Sequence, residues 1–192
     1  MSFLSPITEK LLPDSNGTIS GWSTTSGGGA YVDVDADDTN YVTSTSVGST
    51  FIVGFENLSV SSGVTINWIK AYNIIFLNSP DRSHAIDIKM ELKLADGTGV
   101  DGTTHSNVIN KWITEVNLFA NVTSITDISA INGLQVLTTY SAQNAAGIEA
   151  NVDHIFLQVN YTPSVETYDD TLNNITMTSG TSTLTEGTII LN

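Results

Sequence analysis

Apolar and polar residues alternate with a period of two along much of this chain, which predicts β-strands. The clearest segment is 86–94, where five apolar residues alternate with four charged ones. Because successive side chains of a strand point to opposite faces, all the apolar side chains of this segment share one face. The segment therefore predicts a half-buried antiparallel strand. A second regular alternation consists of Ile155, Leu157, Val159 and Tyr161.

A longer apolar segment upstream predicts one long strand, or two strands separated by a bend. Its apolar residues of one parity are Val64, Ile66, Trp68, Tyr72, Ile74 and Phe76, with Lys70 among them. This pattern places Trp68 on an apolar face, and core packing is the common fate of a tryptophan in a β-sandwich. Further strands are predicted at 51–55 and at 116–122.

Turn-forming residues separate these segments. The main clusters are Asp14 to Gly17, Gly27 to Gly29, Asn78 to Asp81, Asp96 to Gly102 and Asn144 to Gly147. One short helix is predicted near Ser124 and Asp127, which resemble a capping box, and Gly133 would end it. Short strands divided by turns indicate an all-β sandwich or barrel with at most one or two short helices.

The chain divides into three predicted parts. Residues 1–12 form an N-terminal arm, and residues 13–163 form the β-sandwich domain. Residues 164–192 are more polar and contain one weak hairpin pattern, so we expect a C-terminal arm or hairpin. Such a segment buries little of its own surface, so it either stays flexible or pairs with an edge of this or a neighbouring subunit.

Composition excludes several classes of function. Twenty acidic residues stand against six basic ones, giving a formal net charge of -14. No basic patch can neutralise a row of phosphates, so direct nucleic-acid binding is not expected. No apolar run approaches the ~20 residues that a membrane-spanning helix needs. The absence of cysteine excludes thiolate metal sites, thiol nucleophiles and disulfides.

A cluster of carboxylates is the best candidate for a metal site. Its members are Asp33, Asp35, Asp37 and Asp38. Several hard oxygen ligands suit calcium, although Asp38 and Ser44 stand where an EF-hand requires Gly and Glu. The alternation of Val32 and Val34 with acids also predicts a strand with a solvated acidic face. Apart from calcium, no cofactor is expected.

Tryptophans and tyrosines could form a platform on which sugar rings stack. An exposed pair would indicate a carbohydrate-binding module, whereas core packing is the alternative. The candidates for that pair are Trp22, Tyr31, Tyr41, Trp112 and Tyr140.

No catalytic constellation emerges from the sequence. The GxGxxG pattern at 97–102 is bracketed by aspartates and lies where a hairpin is expected, so it does not predict a phosphate site. His84, His105 and His154 lack zinc-ligand spacing, and no nucleophile elbow is present. Nothing selects two of the acids as a glycosidase pair. We therefore expect no enzyme, and rank a polysaccharide depolymerase third among the possible functions.

Three sequence elements together resemble a loose family of small structural proteins of tailed bacteriophages. They are residues 12–22 (LPDSNGTISGW), residues 33–42 (DVDADDTNYV), and residues 131–136 (INGLQV) with 152–161, which end in Val-Asn-Tyr. The resemblance spans residues 11–163. It implies a jelly-roll-like sandwich located in the virion, as a capsid decoration or cement protein, a head fibre or a tail component, and it carries over no catalytic residue.

These inferences together predict a non-enzymatic structural protein, made in the host cytoplasm, that binds the capsid exterior and stabilises the virion. The expected partners are the major capsid protein or other virion proteins. We also expect a homo-oligomer, with a trimer favoured by the local threefold positions of icosahedral shells. The alternative is a carbohydrate-binding or adhesive module of a tail or head fibre. The sequence leaves head against tail open.

Overall fold

The computed structural model describes residues 5–36, 39–60, 64–78, 83–109, 113–114, 125 and 127–163. Within them the chain forms eleven strands and two one-turn helices. The strands are β1 (Ile7–Leu11), β2 (Pro13–Ser20), β3 (Ser23–Thr24), β4 (Val42–Ser44), β5 (Thr50–Phe55), β6 (Thr65–Asn78), β7 (Ala85–Lys93), β8 (Gly99–Ile109), β9 (Ile113–Thr114), β10 (Gln135–Gln143) and β11 (Glu149–Thr162); the helices are α1 (Ala30–Asp33) and α2 (Ile128–Ile131).

The described strands form two antiparallel sheets. Sheet I has the order β3-β4-β11-β6-β9, and β1 pairs with β11 on the same side as β4. Sheet II has the order β2-β5-β10-β7-β8. The chain passes repeatedly between the sheets, and residues from both form one core. The predicted all-β antiparallel sandwich, with at most one or two short helices, is confirmed. Neither helix in the described ranges is long and apolar enough to span a membrane.

The two most regular alternations in the sequence lie where they were predicted, with their apolar residues in the core. On β7, Ile86, Ile88, Met90 and Leu92 are at most 1% exposed. On β11, Ile155, Leu157 and Val159 are 0% exposed, and Tyr161 is 4% exposed. Burying each of these side chains stabilises the fold by about 1.5–3 kcal/mol. These strands therefore provide much of the contact between the sheets.

Strand β6 reverses the orientation expected for its aromatic residues. Ile66 faces the core, but Asn67 is an extra residue opposite Asn160 of β11, which pairs with Trp68. This β-bulge changes the parity, so that Ile69, Ala71 and the later odd-numbered apolar residues are buried in the core. Trp68 and the aromatic residues that share its parity lie instead on the outer face of sheet I. The prediction that Trp68 occupies the core face is wrong because a bulge shifts the strand by one residue.

Part of the predicted N-terminal arm belongs to sheet I. Residues Ile7–Leu11 pair with Tyr161 to Leu157 along β11. Between β1 and β4, the backbone N–H of Ile155 donates a 2.9 Å hydrogen bond to the carbonyl of Val34. The loop that carries α1 is thus anchored to the edge of β11. The predicted C-terminal arm, residues 164–192, lies outside the described residues, as does the predicted strand at 116–122.

One local prediction is wrong and another is confirmed. The segment around Val32 to Asp35 was expected to be a strand, but residues 30–33 form α1, with N–H groups of Val32 and Asp33 bonded to the Gly29 carbonyl. The short second helix was expected and is present. Asp127 caps it, because Oδ1 accepts a 2.8 Å hydrogen bond from the Ser129 N–H.

Candidate functional site

The carboxylate of Asp33 closes the loop between β3 and α1. It is 1% exposed and accepts hydrogen bonds from the backbone N–H groups and the hydroxyls of Thr25 and Ser26. The prediction of a solvated acidic face is therefore wrong for Asp33. Its carboxylate oxygens accept hydrogen bonds from nearby backbone N–H groups, and these bonds hold the side chain inside the loop. Asp35 is half-buried.

The other two aspartates of the calcium candidate, Asp37 and Asp38, lie outside the described residues. Among the residues that are described, no group of three or more His, Asp or Glu side chains is arranged to hold a metal ion. The structure thus places Asp33 in a structural role within its loop and does not gather the four carboxylates into one described site.

Two of the five candidate sugar-stacking residues lie in the core. Trp22 is 6% exposed and packs edge-on against Phe51, with ring centroids 5.1 Å apart. Tyr140 is fully buried, and its hydroxyl donates a 2.6 Å hydrogen bond to Gln143 Oε1 and lies 3.2 Å from the Ile148 carbonyl oxygen. Burial also raises the pKa of Tyr140 to about 12. Trp22 and Tyr140 therefore present no ring face to a ligand, since both fill the space between the sheets.

The remaining described candidates, Tyr31 and Tyr41, have different surroundings. Tyr31 is half-buried and packs against the core. Tyr41 contacts Phe76 of β6 edge-on, with ring centroids 5.1 Å apart, so it lies beside the outer face of sheet I. Trp112 lies outside the described residues. The structure thus places the four described candidates in different surroundings.

A different aromatic surface covers the outer face of sheet I. It is built mainly on β6 and β11, with one edge supplied by β1. We call it the aromatic face. Its exposed and half-buried members are Thr8 and Lys10 of β1, Asn67, Trp68, Lys70, Tyr72 and Phe76 of β6, and Phe156, Gln158 and Asn160 of β11. Ile74 and His154 lie on the same side of the sheet but are buried, at 9% and 5% exposed.

The strand register arranges this face in cross-strand rows. Lys10 pairs with Gln158, which pairs with Lys70, so one row carries two lysines on either side of an amide. The next row in one direction places Asn160 beside Trp68. The next row in the other direction places Phe156 beside Tyr72. The cationic row therefore lies between two aromatic rows.

Ring contacts hold these side chains in place. Tyr72 and Phe156 stack with a centroid distance of 4.8 Å and an interplanar angle of 7°. Lys10 Nζ lies 4.3 Å from the centroid of Phe156 and 3.1 Å from Nε2 of His154. Lys70 Nζ lies 4.6 Å from the centroid of Trp68. Such cation–π contacts each contribute about 0.5–1 kcal/mol at exposed sites and fix the ammonium groups near the rings.

One end of the aromatic face carries a network of amides and hydroxyls. The Asn67 amide donates to Asn160 Oδ1 at 2.8 Å and to Thr162 Oγ1 at 3.0 Å. The Asn160 amide donates in turn to Thr8 Oγ1 at 2.8 Å. These bonds link β6, β11 and β1 across the sheet. They also leave polar groups beside Trp68 that can bond to the hydroxyls of a ligand.

The lysines of this face have no acidic partner among the described residues. The ion pair between Lys89 and Glu91, at 3.2 Å, lies on β7 in the other sheet. Lys10 and Lys70 contact aromatic rings, and Lys10 contacts an imidazole, without a described carboxylate within ion-pair distance. In a chain with a net charge of -14, this face thus carries two lysines that no described carboxylate pairs with.

The periodicity of the sequence did not reveal the aromatic face, because β6 is apolar on both faces. Periodicity alone selected one parity as the core face, and the bulge at Asn67 was not visible in it. One signal was present: from residue 68 onward, the aromatic residues and Lys70 share one parity, whereas Ile69, Ala71, Ile75 and Leu77 share the other. When one face of a strand is aliphatic and the other carries aromatic residues and a lysine, the aliphatic face is the better candidate for the core.

Comparisons with known proteins give little further information. No protein-family model matches the chain, and no curated protein matches it significantly. Among solved structures, it is similar to an arabinose-bound α-L-arabinofuranosidase, MgGH51, with a TM-score of 0.37 and 15% sequence identity. The match covers 78% of this chain and 26% of that enzyme, so the chain spans about a quarter of the enzyme's length.

Proposed function

We propose that this chain is a non-enzymatic structural protein of a bacteriophage virion, a capsid decoration or cement protein that binds the outer capsid surface. The resemblance of residues 11–163 to small virion proteins supports this proposal. So does the antiparallel sandwich, which is a rigid scaffold for presenting edges and faces to a partner. The single observation that carries it is the long edge strand β8 of sheet II.

Strand β8 is well suited to accept a strand from another protein. It spans 11 residues, pairs with β7, and has no strand on its other side among the described residues. Natural edge strands are usually protected by lysine, proline, β-bulges or short length. Strand β1 is five residues long and carries Lys10, and β2 begins at Pro13, whereas β8 has neither residue type and a single acid, Asp101. The pairing of β8 with β7 is irregular near both ends, so residues 101–105 are its regular stretch.

Binding through β8 would be β-strand addition. Main-chain hydrogen bonds to the major capsid protein or another virion protein would supply affinity, and exposed side chains would supply specificity. Ile109, at the end of β8, is 50% exposed and would bury apolar surface in the contact. The acidic remainder of the surface keeps a protein on a particle exterior soluble. We propose a homo-oligomer, with a trimer at local threefold positions.

Binding to virions that lack the protein tests this proposal. The purified chain is mixed with such particles, which are then sedimented and imaged. Thr104→Glu places a charge at an exposed position of β8. Thr18→Glu is the matched control, because it makes the same change at an exposed position of β2, the opposite edge of sheet II.

The expected result is density at regular lattice positions for the unmodified chain and for Thr18→Glu. Thr104→Glu should weaken binding at least about tenfold, since a charge on an edge strand opposes strand addition. If no variant binds the shell, the decoration role is wrong. Density only on the tail would also overturn it, and would favour the second function.

A second candidate function is a carbohydrate-binding or adhesive module of a tail or head fibre. The aromatic face is the observation that favours it, because Trp68 and Tyr72 are half-buried on an outer sheet surface beside amides and hydroxyls. Aromatic rings bind the apolar faces of sugars, while nearby polar groups fix their orientation. A glycan array tests this function, and absence of binding to every glycan on it would overturn it.

A further inference from the structure

The aromatic face combines three features: ring surfaces, hydrogen-bonding side chains and a pair of lysines in one cross-strand row. We propose that it binds an acidic polysaccharide, with sugar rings against Trp68 and Tyr72 and sugar carboxylates at Lys10 and Lys70. This inference rests on the second candidate function and names its ligand class. It is compatible with attachment to a capsid through β8, because the two surfaces belong to different sheets.

The placement of charge points to an anionic ligand. Adjacent strands are about 4.8 Å apart, so Lys10 and Lys70, separated by one strand, lie about 10 Å apart at their Cα atoms. Gln158 lies between them in the same row. Neither lysine has a described carboxylate partner within ion-pair distance. An anionic ligand can therefore interact favourably with these two lysines, because it supplies the opposite charge that they lack.

The overall charge of the chain does not prevent this contact. A net charge of -14 weakens long-range attraction of polyanions. However, charges are screened beyond about 8 Å at physiological ionic strength. Short-range contact with the two ammonium groups therefore determines binding. The same screening predicts that added salt weakens the complex.

The rings point to sugars as the ligand. Trp68 and Tyr72 are four residues apart on β6, which is about 13 Å along a strand. This distance spans more than one sugar ring, and the lysine row crosses the face between them. Phe156 supports Tyr72 by stacking and orients Lys10. The amide of Asn160 and the hydroxyl of Thr8, bonded to each other, adjoin Trp68 and suit sugar hydroxyls.

The test uses the full chain and three defined probes. The first is an oligogalacturonate, which carries a carboxylate on each sugar. The second is its methyl ester, which has the same rings without the charge. The third is a poly-glutamate peptide, which has the charge without the rings. Binding is measured by calorimetry and by tryptophan fluorescence at low and at physiological salt.

Two variants, with a matched control, separate the contributions of charge and ring. Lys70→Gln removes one cation from the row, and Trp68→Leu removes one ring. Lys89→Gln is the matched control, because Lys89 is an exposed lysine on the other sheet. Circular dichroism and thermal unfolding establish that each variant is folded. Lys10→Gln provides a second test of the cationic row if Lys70→Gln proves unstable.

The expected result is that oligogalacturonate binds and that its methyl ester and poly-glutamate bind at least about tenfold more weakly. Lys70→Gln and Trp68→Leu should each weaken oligogalacturonate binding about fivefold to tenfold, whereas Lys89→Gln should not change it.

Three other results would overturn the inference in distinguishable ways. Equal binding of the acid and its ester, unaffected by Lys70→Gln, would leave carbohydrate binding in place and exclude acidic sugars as the preferred class. Tight binding of poly-glutamate, unaffected by Trp68→Leu, would indicate an acidic protein partner. Absence of binding by any glycan probe would overturn both this inference and the carbohydrate-binding function.

Discussion

The phenolic hydroxyl of Tyr161 on β11 donates a 2.5 Å hydrogen bond to Oε1 of Glu9 on β1. This bond joins a buried residue of the central strand to the strand nearest the amino terminus. It is one of the contacts that hold β1 in sheet I, together with the bond from Asn160 to Thr8. Removing it should therefore loosen β1 before it affects the rest of the sandwich.

Tyr161→Phe tests this contact. The substitution keeps the ring and removes the hydrogen-bond donor, so the free energy of unfolding should fall by about 1–2 kcal/mol. This range is that of a hydrogen bond to a charged acceptor, reduced because Glu9 is partly exposed. Amide hydrogen exchange should increase first in residues 7–11. Urea unfolding gives the free energy. Unchanged exchange in β1 would show that this bond does not hold the strand.

The same residue predicts a loss of stability at alkaline pH. The hydrogen bond to Glu9, followed by burial and the nearby negative charge, raises the pKa of Tyr161 to about 12 from a usual 10.0. Between these values the unfolded chain releases the proton while the folded chain retains it. The contribution to stability is therefore complete below pH 10 and is lost as pH rises through about 12. Urea unfolding between pH 9 and pH 12 should show a shallower decline for Tyr161→Phe, and an identical decline would contradict this explanation.

Trp22 and Trp68 lie in different environments, so replacing each by alanine should lower the free energy of unfolding by different amounts. Trp22 packs against Phe51 and Tyr140 in the core, whereas Trp68 lies on the outer face of sheet I. Trp22→Ala should lower the free energy of unfolding by about 3–5 kcal/mol through loss of buried surface and creation of a cavity. Trp68→Ala should cost about 1 kcal/mol, mainly the contact with Lys70. Equal losses in urea unfolding would contradict this assignment of the two residues.

Asp33 should be essential to its loop, whereas Asp35 should not. The Asp33 carboxylate accepts several hydrogen bonds from Thr25 and Ser26, while Asp35 is half-buried two residues later. Asp33→Ala should lower the free energy of unfolding by about 2–3 kcal/mol, because it leaves these donors without a partner. Asp35→Ala is the matched control and should change it by less than about 0.5 kcal/mol. A thermal unfolding series of both variants checks this difference.

The sequence predicted the strands whose two faces differ in polarity. Segment 86–94 and segment 155–161 each have a regular set of alternating apolar residues, so the face that each strand turns to the core follows from periodicity alone. The same argument failed at β6, where both faces are apolar and an extra residue at Asn67 reverses the parity. The aromatic face depends on that bulge and on pairing with β11, both of which are long-range features. Its existence therefore could not be read from local alternation.

The other differences between the predictions and the structure have separate causes. Asp33 favours a turn of helix over the strand predicted from Val32 and Val34, because its carboxylate bonds to the loop before it. Conversely, residues 14–17 were expected to form a turn, yet they lie in β2, where the register with β5 is irregular. Trp22 is buried because two sheets pack together around it, and the sequence of a single segment does not reveal such packing.

Asn73 predicts a substitution that should stabilise the protein. It lies on the core-facing side of β6 opposite Ile155, is 2% exposed, and neither its amide nitrogen nor its oxygen has a hydrogen-bond partner among the described residues. A buried amide without partners costs about 1–3 kcal/mol, so Asn73→Leu, of similar size, should raise the free energy of unfolding by about that amount. Asn67→Leu is the control on the same strand, because that amide is bonded to Asn160 and Thr162 and its loss should destabilise the fold. If urea unfolding shows Asn73→Leu to be less stable than the unmodified chain, the amide must serve a contact that compensates for its burial.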